Sequence, residues 1–454
     1  MAEHVQAPFL PTVQWERTLI YWAPVLHFYQ PPTQFPAVLK KICQESYRPL
    51  IDLLGEFDRA RATVNINGAL TEMLADCGHE DILRGLRALA ERGRIELTGS
   101  AMYHPILPLL PDSEIRRQIA LNQAINRRAF GEAYRPAGFF PPELAYGPSL
   151  AGPVTDTGHQ WVLAGGVACP TDWPMRVVHR VAEQPHLAVL FRDDIISNRI
   201  SFQSIDGFAF VDHLHAMARD GHRSPRYVVT AMDAETFGHH HREWERLFLA
   251  HVYAQLDAEP PADGAADVGD GVNLAEQHRH LLASSAPGLG PELAVATVSD
   301  LVARFPKGQC VSPKASSWST SGADLEAGLP YPLWDDPHNR VHACLWRHLR
   351  LGIELVEIAG RVAQIPEARR HADIARGLLD RALHSCQFWW ASRRPMWDIN
   401  MIERGLAEQA AVMLNVARAV RLAGVDAETR RAVDDRLVVA EDLGRRIRER
   451  LVTT

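Results

Sequence analysis

The stretch Tyr227-Val228-Val229-Thr230-Ala231-Met232-Asp233-Ala234-Glu235-Thr236-Phe237-Gly238-His239-His240-His241 decides how the chain is read. Its first five residues are β-branched, aromatic or small, and they predict a strand. Acids follow at once, and period-two alternation puts Asp233 and Glu235 on one face where that strand ends. In a β/α barrel this end is the rim on which chemistry is done. A second apolar run, Gly138-Phe139-Phe140-Pro141-Pro142-Glu143-Leu144-Ala145-Tyr146, also delivers an acid. Glycosidic cleavage needs one carboxylate at the anomeric carbon and a protonated one at the leaving oxygen. Glu143 is expected as the nucleophile and Asp233 as the general acid/base. Glu235 is expected to raise the proton affinity of Asp233 or to orient a sugar hydroxyl.

Outward from this pair, short β-rich runs alternate with amphipathic helices, the pattern of an α/β fold. Strands are expected at Ala23–Phe28, Ala62–Ile66, Ile95–Thr98, Gly138–Phe140, Trp161–Ala164, Leu187–Phe191, Tyr227–Ala231 and Leu293–Val298. Helical patterns such as Asp81–Arg92 and Ser113–Phe130 separate them. No glycine-rich dinucleotide loop follows the first strand, whereas polar groups follow many strands, which favours a barrel over a doubly wound sheet. The catalytic barrel is assigned residues 1–340. It carries a surface excursion near 257–290, rich in Ala, Gly, Asp and Pro, and a folded aromatic loop near 312–337 with Trp318, Tyr331 and Trp334. From 341 to 454 the pattern is helical: Leu345, Leu349, Ile353 and Val356 mark one buried face, and Ala372–Trp390, Asn400–Leu422 and Glu428–Leu451 follow. Gln387, Trp389 and Trp390 are expected to reach the cleft.

The composition excludes some functions. Lys plus Arg number 48 against 55 Asp plus Glu, a formal charge of -7, and no basic block offers a groove for nucleic acid. Six scattered cysteines form neither a dense disulfide framework nor a CxxC zinc pattern. No run reaches the roughly 20 apolar residues of a membrane helix. The start, Met1 to Gln6, shows no basic region leading into an apolar segment, so a cytoplasmic protein is expected. Eleven tryptophans suit a carbohydrate site, with Trp318, Trp334, Trp389 and Trp390 as expected stacking platforms, although most tryptophans anchor packing.

Two further segments carry polar groups toward the same place. In Leu26-His27-Phe28-Tyr29-Gln30-Pro31, His27 and Tyr29 alternate to one side. In Gly93–Pro105, Glu96 is expected to brace the barrel and His104 to reach the cleft. His239 is the expected orienting histidine of its cluster. In its motifs the chain resembles glycoside hydrolase family 57 over essentially its whole length, most strongly in the barrel segments. The matching motifs are His27-Phe28-Tyr29-Gln30-Pro31, Gly93–Thr98, Pro142-Glu143-Leu144-Ala145 and Asp233-Ala234-Glu235-Thr236-Phe237-Gly238-His239. The resemblance implies an incomplete seven-stranded β/α barrel followed by a helical domain. It also implies a retaining mechanism on α-linked sugars, commonly α-glucans, with no metal or organic cofactor. A segment like Phe191–Ser197 contributes to the site in related chains, which makes Arg192 and Asp194 expected positioning residues. The chain departs from the family pattern at Tyr29, where many members have a second histidine. It departs again at Ser385-Cys386-Gln387-Phe388-Trp389-Trp390, where an acidic-aromatic arrangement is usual.

The expected function is a retaining hydrolase or glucanotransferase acting on α-linked oligosaccharide or polysaccharide, with a homo-oligomer open. One alternative is a metal-dependent carbohydrate deacetylase using His27, Asp233 and His239 as ligands. The other is a carbohydrate-binding protein that does no catalysis.

Overall fold

In β1 (Ile20–Phe28) alternate residues serve two different cores. Ala23 and Val25 pack with Trp161, Leu163, Leu190, Val229 and Ala231, which are strand residues. Trp22, Leu26 and Phe28 pack instead with Leu39, Leu50, Phe210 and Phe248, which are helical. A strand buried on both faces reads as a nearly continuous apolar run, as parallel sheets covered by helices do.

The computed structural model, which describes residues 19–218, 224–258 and 293–453, arranges its strands in two five-stranded sheets. The first runs β3 (Ile95–Leu97), β2 (Ala62–Ile66), β1, β8 (Arg226–Asp233), all parallel, with β9 (Leu293–Val295) beside the start of β1. The second runs β10 (Lys307–Val311), β6 (Val178–Val181), β7 (Gln184–Phe191), β5 (Trp161–Ala164), β4 (Gly138–Phe139), and only β6 and β7 are antiparallel. The sheets are tied at both sides. Gly99 N–H donates to Gly138 O at 2.8 Å and Phe140 N–H to Gly99 O at 2.9 Å, while Asp193 N–H past β7 donates to Val229 O of β8 at 2.8 Å. Gly138 is required here, because a Cβ would lie 1.9 Å from the Trp161 ring that fills the space between the sheets.

Register then places the chemistry. His27 and Asp233 are directly opposed across the β1–β8 pair. His27 continues the alternation of Ala23 and Val25, and Asp233 that of Val229 and Ala231. Both therefore stand on the inner, strand-lined face at the carboxyl ends of their strands.

Four long helices, Arg340–Val362, Pro366–Ala382, Ile399–Ala423 and Ala427–Thr453, pack on one another. Leu345, Leu349, Ile353 and Val356 of the first share a core with Phe139, Val162, Val189 and Phe191 of the second sheet. The first helix starts where Asn339 accepts the N–H groups of Val341 and His342, a cap that contributes about 1 kcal/mol. Among the described residues no helix is long and apolar enough to cross a membrane.

Several expectations change. The helix expected over Ala372–Trp390 is two pieces, Pro366–Ala382 and Cys386–Trp389, because Ser385 N–H leaves the helical ladder for His104 O at 3.1 Å. The strand expected to reach Val298 stops at Val295, since Thr297 opens a helix with a reciprocal cap to Asp300. β6 and β10 were not anticipated; Val178-His179-Arg180-Val181 and Lys307-Gly308-Gln309-Cys310-Val311 are short and largely polar, so they give no apolar run. The surface excursion expected near 257–290 lies, from 259 onward, outside the described residues.

Candidate active site

Glu143 stands on a turn that only its neighbours can hold. It has φ 60°, Leu144 has φ 46°, and His104 has φ 58°. Each is a non-glycine residue in the left-handed region, a strain of about 1–3 kcal/mol that persists only where surrounding bonds over-determine it. Those bonds are present. Leu144 N–H reaches Pro141 O and Ala145 N–H reaches Pro142 O. Tyr146 and Ser316 exchange backbone bonds at 2.9 and 3.1 Å, and Trp318 N–H donates to Glu143 O at 3.0 Å. The Trp318 indole N–H then donates to Glu143 Oε2 at 2.8 Å, so the aromatic loop grips both ends of this residue.

The inner face supplies a hydrogen-bonded histidine pair. His27 Nδ1 lies 2.7 Å from Asn65 Oδ1, and its Nε2 lies 3.0 Å from His104 Nε2. His104 Nδ1 lies 3.1 Å from Ser385 Oγ and 3.8 Å from Glu143 Oε1. Burial pushes His27 down to about 4 and His104 well below its usual value, so both rings are neutral near pH 7. One proton arrangement satisfies the chain: Ser385 donates to His104, His104 to His27, His27 to Asn65, and the Asn65 amide to Thr98 Oγ1 at 3.0 Å. His27 also lies flat on Phe140, with centroids 4.8 Å apart, and Tyr29 lies flat on His104 at 3.7 Å. The Tyr29 hydroxyl meets Cys386 Sγ at 3.0 Å.

Three acids share this dry surround. Glu143 is pushed up to about 8, first by burial and then by the charge of Asp233, with the Trp318 donor opposing the shift. Burial also raises Asp233, but the nearby Arg192 guanidinium opposes it. Glu235 is raised by burial and then by Asp233, against the donors on its own Oε1, Tyr47 O–H and Gln30 Nε2 at 2.7 Å. Glu143 and Glu235 therefore hold their protons to higher pH than Asp233, and the acids titrate as a group.

Arg192 is fixed by three bonds: Nε–H to Ala231 O at 2.7 Å, one arm to Asp194 at 2.8 Å and the other to Asn198 at 2.8 Å. Asp194 Oδ2 accepts Val167 N–H at 3.0 Å. The guanidinium carbon sits 5.8 Å from the Trp318 ring centroid. Arg192 and Asp194 are thus brought to the site as an ion pair that holds the gap between β7 and β8.

Other expected residues lie elsewhere. His239 pairs with Glu45 at 2.7 Å, toward the helical side rather than toward Glu143. Trp334 is completely buried among helical residues and has no face to offer a sugar, which corrects its expected stacking role. Gln387 is likewise fully buried; its amide donates to Ala382 O at 2.6 Å and accepts from Gln409 at 2.7 Å, so it braces helices instead of reaching the cleft. Trp389 and Trp390 meet edge to face at 4.7 Å and pack half-buried against the helical core. Trp318 is half-buried and serves Glu143 as a donor. Glu96 accepts from Thr63 at 2.6 Å and from Ser299 N–H at 3.1 Å, a bracing role.

Asn65, Tyr47 and Phe140 were not expected as site residues from sequence, and Ser385 and Cys386 entered only within the stretch that departs from the family pattern. Asn65 had a signal: with Thr63 it is polar at alternate positions of an apolar strand, which points inward side chains at a polar site. Tyr47 had none, since it arrives through long-range packing.

The profile of glycosyl hydrolase family 57 matches residues 14–263, more than half of the chain. An alpha-amylase from Pyrococcus horikoshii is 24% identical over 247 residues, covering 52% of this chain and 37% of that enzyme. A 4-alpha-glucanotransferase from Thermococcus litoralis is 28% identical over 138 residues, 30% of this chain and 20% of that one. The match thus spans well under half the length of these two relatives. Among solved structures, a family 57 branching enzyme from Thermococcus kodakaraensis gives a TM-score of 0.64 at 14% identity, over 92% of this chain and 94% of that one. The alpha-amylase AmyC from Thermotoga maritima also gives 0.64 at 14% identity, over 93% and 97%. The fold is therefore the α/β fold of these enzymes, with a parallel sheet and many helices. On the extent of the profile match, the chain belongs to glycosyl hydrolase family 57.

Proposed function

We propose that this protein is a retaining hydrolase or glucanotransferase of α-linked glucans. One observation carries the reading most: two acids from separate strand ends, Glu143 and Asp233, lie close enough for the charge of one to raise the proton affinity of the other. In this reading β8, β1, β2, β3, β4, β5 and β7 form an incomplete (β/α)7 barrel. Residues 1–340 make the catalytic domain, and the helices from 341 to 454 back the cleft through Ser385 and Cys386.

Glu143 attacks the anomeric carbon while the bond to the departing glycosidic oxygen breaks, and Asp233 gives that oxygen its proton. A covalent glycosyl-enzyme results. Asp233 then takes a proton from water or from a sugar hydroxyl, whose oxygen attacks the same carbon and releases Glu143. Two inversions retain the configuration, and the two carboxyl groups must stand roughly 5–5.5 Å apart around the bound sugar. The assigned roles require the proton on Asp233, whereas burial favours it on Glu143 and Glu235. Positive charge growing on the sugar ring favours ionised Glu143, so substrate binding moves the proton across the pair. Neutral His27 and His104, bonded to Asn65, Ser385 and each other, order the inner face without adding charge, and Trp318 holds Glu143 in line.

The metal-dependent alternative finds little support, because both nitrogens of His27 are engaged by Asn65 and His104 and His239 is on Glu45. A panel of maltooligosaccharides and amylose, scored for reducing ends released against transfer products, tests the proposal. Turnover by the wild type, lost in Glu143→Gln and in Asp233→Asn, is expected. Saturable glucan binding without turnover would leave only a binding protein.

A further inference from the structure

Away from the strand ends, the segment around Asp336 to Val341 and the turn Ser392–Arg394 face one another across a cavity of about 400 Å³, with Arg450 of the last helix as a third wall. Its lining concentrates cations: Arg340, Arg393, Arg394 and Arg450 stand against the single carboxylate of Asp336. This stands out in a chain whose formal charge is -7. Arg394 donates to Asp324 at 2.8 and 3.4 Å. Arg340, Arg393 and Arg450 have no ion-pair partner among the described residues. The Arg450 Nε is buried without a hydrogen-bond acceptor.

The backbone is shaped to keep the cluster together. Arg393 is held at φ 60°, a left-handed conformation that a non-glycine residue adopts only under constraint. Its N–H donates to Met396 O at 2.8 Å, and its guanidinium lies 4.9 Å from the Trp397 ring centroid. The start of the Arg340–Val362 helix is not the binding group, because Asn339 already accepts the N–H groups of Val341 and His342. Asn339 also donates to Ala391 O at 2.7 Å, locking the two walls to each other. What remains unanswered is the guanidinium charge itself. Planar forks with several N–H donors match the oxygens of a tetrahedral dianion, and four guanidinium groups gathered around one lining carboxylate repel one another until such a group arrives.

We propose that this cavity binds a phosphate group, carried on a small phosphate monoester or present as free phosphate. The volume sits at the lower end of small-ligand pockets and leaves room beside the phosphate for an organic part. The ligand's oxygens would take N–H donors from Arg340, Arg393 and Arg450, while Arg394 keeps its bond to Asp324.

Calorimetric titration of the full chain with inorganic phosphate and with glycerol 3-phosphate, at physiological ionic strength, tests the proposal. Saturable binding of at least one probe is expected, and the tighter of the two identifies the source. Arg393→Gln with Arg450→Gln should weaken it at least about tenfold, a loss of about 1.4 kcal/mol, with the melting temperature unchanged. Should that pair fail to fold, the exposed Arg340→Gln carries the same expectation of weakened binding. No saturable binding of either probe, or unchanged affinity in a variant that melts like the wild type, overturns the proposal.

Discussion

Two clusters of buried carboxylates are treated in opposite ways. Where the Asp112–Phe130 and Pro366–Ala382 helices meet, Glu114 and Asp380 are only 3% and 5% exposed, and arginines cover both. Arg117 grips both oxygens of Asp380 at 2.7 Å, and Arg376 bridges Glu114 at 2.8 and 2.9 Å to Asp380 at 2.9 Å. At the strand ends Glu143, Asp233 and Glu235 are gathered with Arg192 alone, and Arg192 is already held by Asp194 and Asn198. The same residue types give a clamp in one region and a reactive site in the other. The difference lies in the cations: one region satisfies its acids with arginines, and the other leaves them short of cations, so that burial raises their proton affinity.

The comparison breaks first on rate. Glu143→Gln or Asp233→Asn should lower turnover at least about a thousandfold, measured by reducing-end release, whereas Asp380→Asn should leave the rate per folded molecule near wild type. It breaks next on stability. Asp380→Ala removes the buried partner of Arg117 and Arg376, which are themselves 40% and 21% exposed, and should cost about 1–3 kcal/mol in denaturant unfolding; a loss under about 0.5 kcal/mol would show that the clamp is unimportant.

The strand-end acids should show the reverse sign. The folded protein raises Glu143 to about 8, so between the ordinary carboxylate range and pH 8 it binds more protons than the unfolded chain. That contribution to stability is greatest at low pH and falls as pH rises through this window. Glu143→Gln removes the penalty. It should be more stable than wild type by on the order of 2–4 kcal/mol at pH 8, with the gap closing toward pH 4. A gap that is flat with pH would mean that Glu143 is not desolvated. The smallest effect is expected for Trp318→Phe, which keeps the ring and removes the donor to Glu143. A hydrogen bond to a charged group contributes about 1.5–3 kcal/mol, so kcat/KM should fall about 10- to 150-fold, with its pH profile displaced upward. An unmoved profile would reduce Trp318 to packing.

Much of this contrast was legible in the sequence on the strand side and little on the helical side. Alternation along Tyr227–Asp233 and Leu26–Tyr29 forecasts which residues face inward, because a strand's side chains have only two directions. The parallel pairing of His27 with Asp233 follows from that register. Helical and loop residues carry no such constraint. Trp334 and Trp318 sit in the same aromatic loop, yet one is entombed and the other holds Glu143; bonds formed across the fold, such as the Tyr146–Ser316 pairing, set them apart. Gln387 and Cys386 are adjacent, and the short helix that begins at Cys386 turns one into the helical core and the other toward Tyr29. The acid clamp was equally hidden, since its partners come from residues 114, 117, 376 and 380.

Covalent trapping tests the central claim most directly. A slow fluorinated α-glucosyl substrate with a good leaving group, followed by proteolysis and mass spectrometry, reads which carboxylate carries the sugar. The account predicts one glucosyl adduct on the peptide containing Glu143, absent in Glu143→Gln. An adduct on Asp233 would contradict the assigned roles, and catalytic release of the leaving group with no adduct on either acid would contradict the retaining mechanism itself.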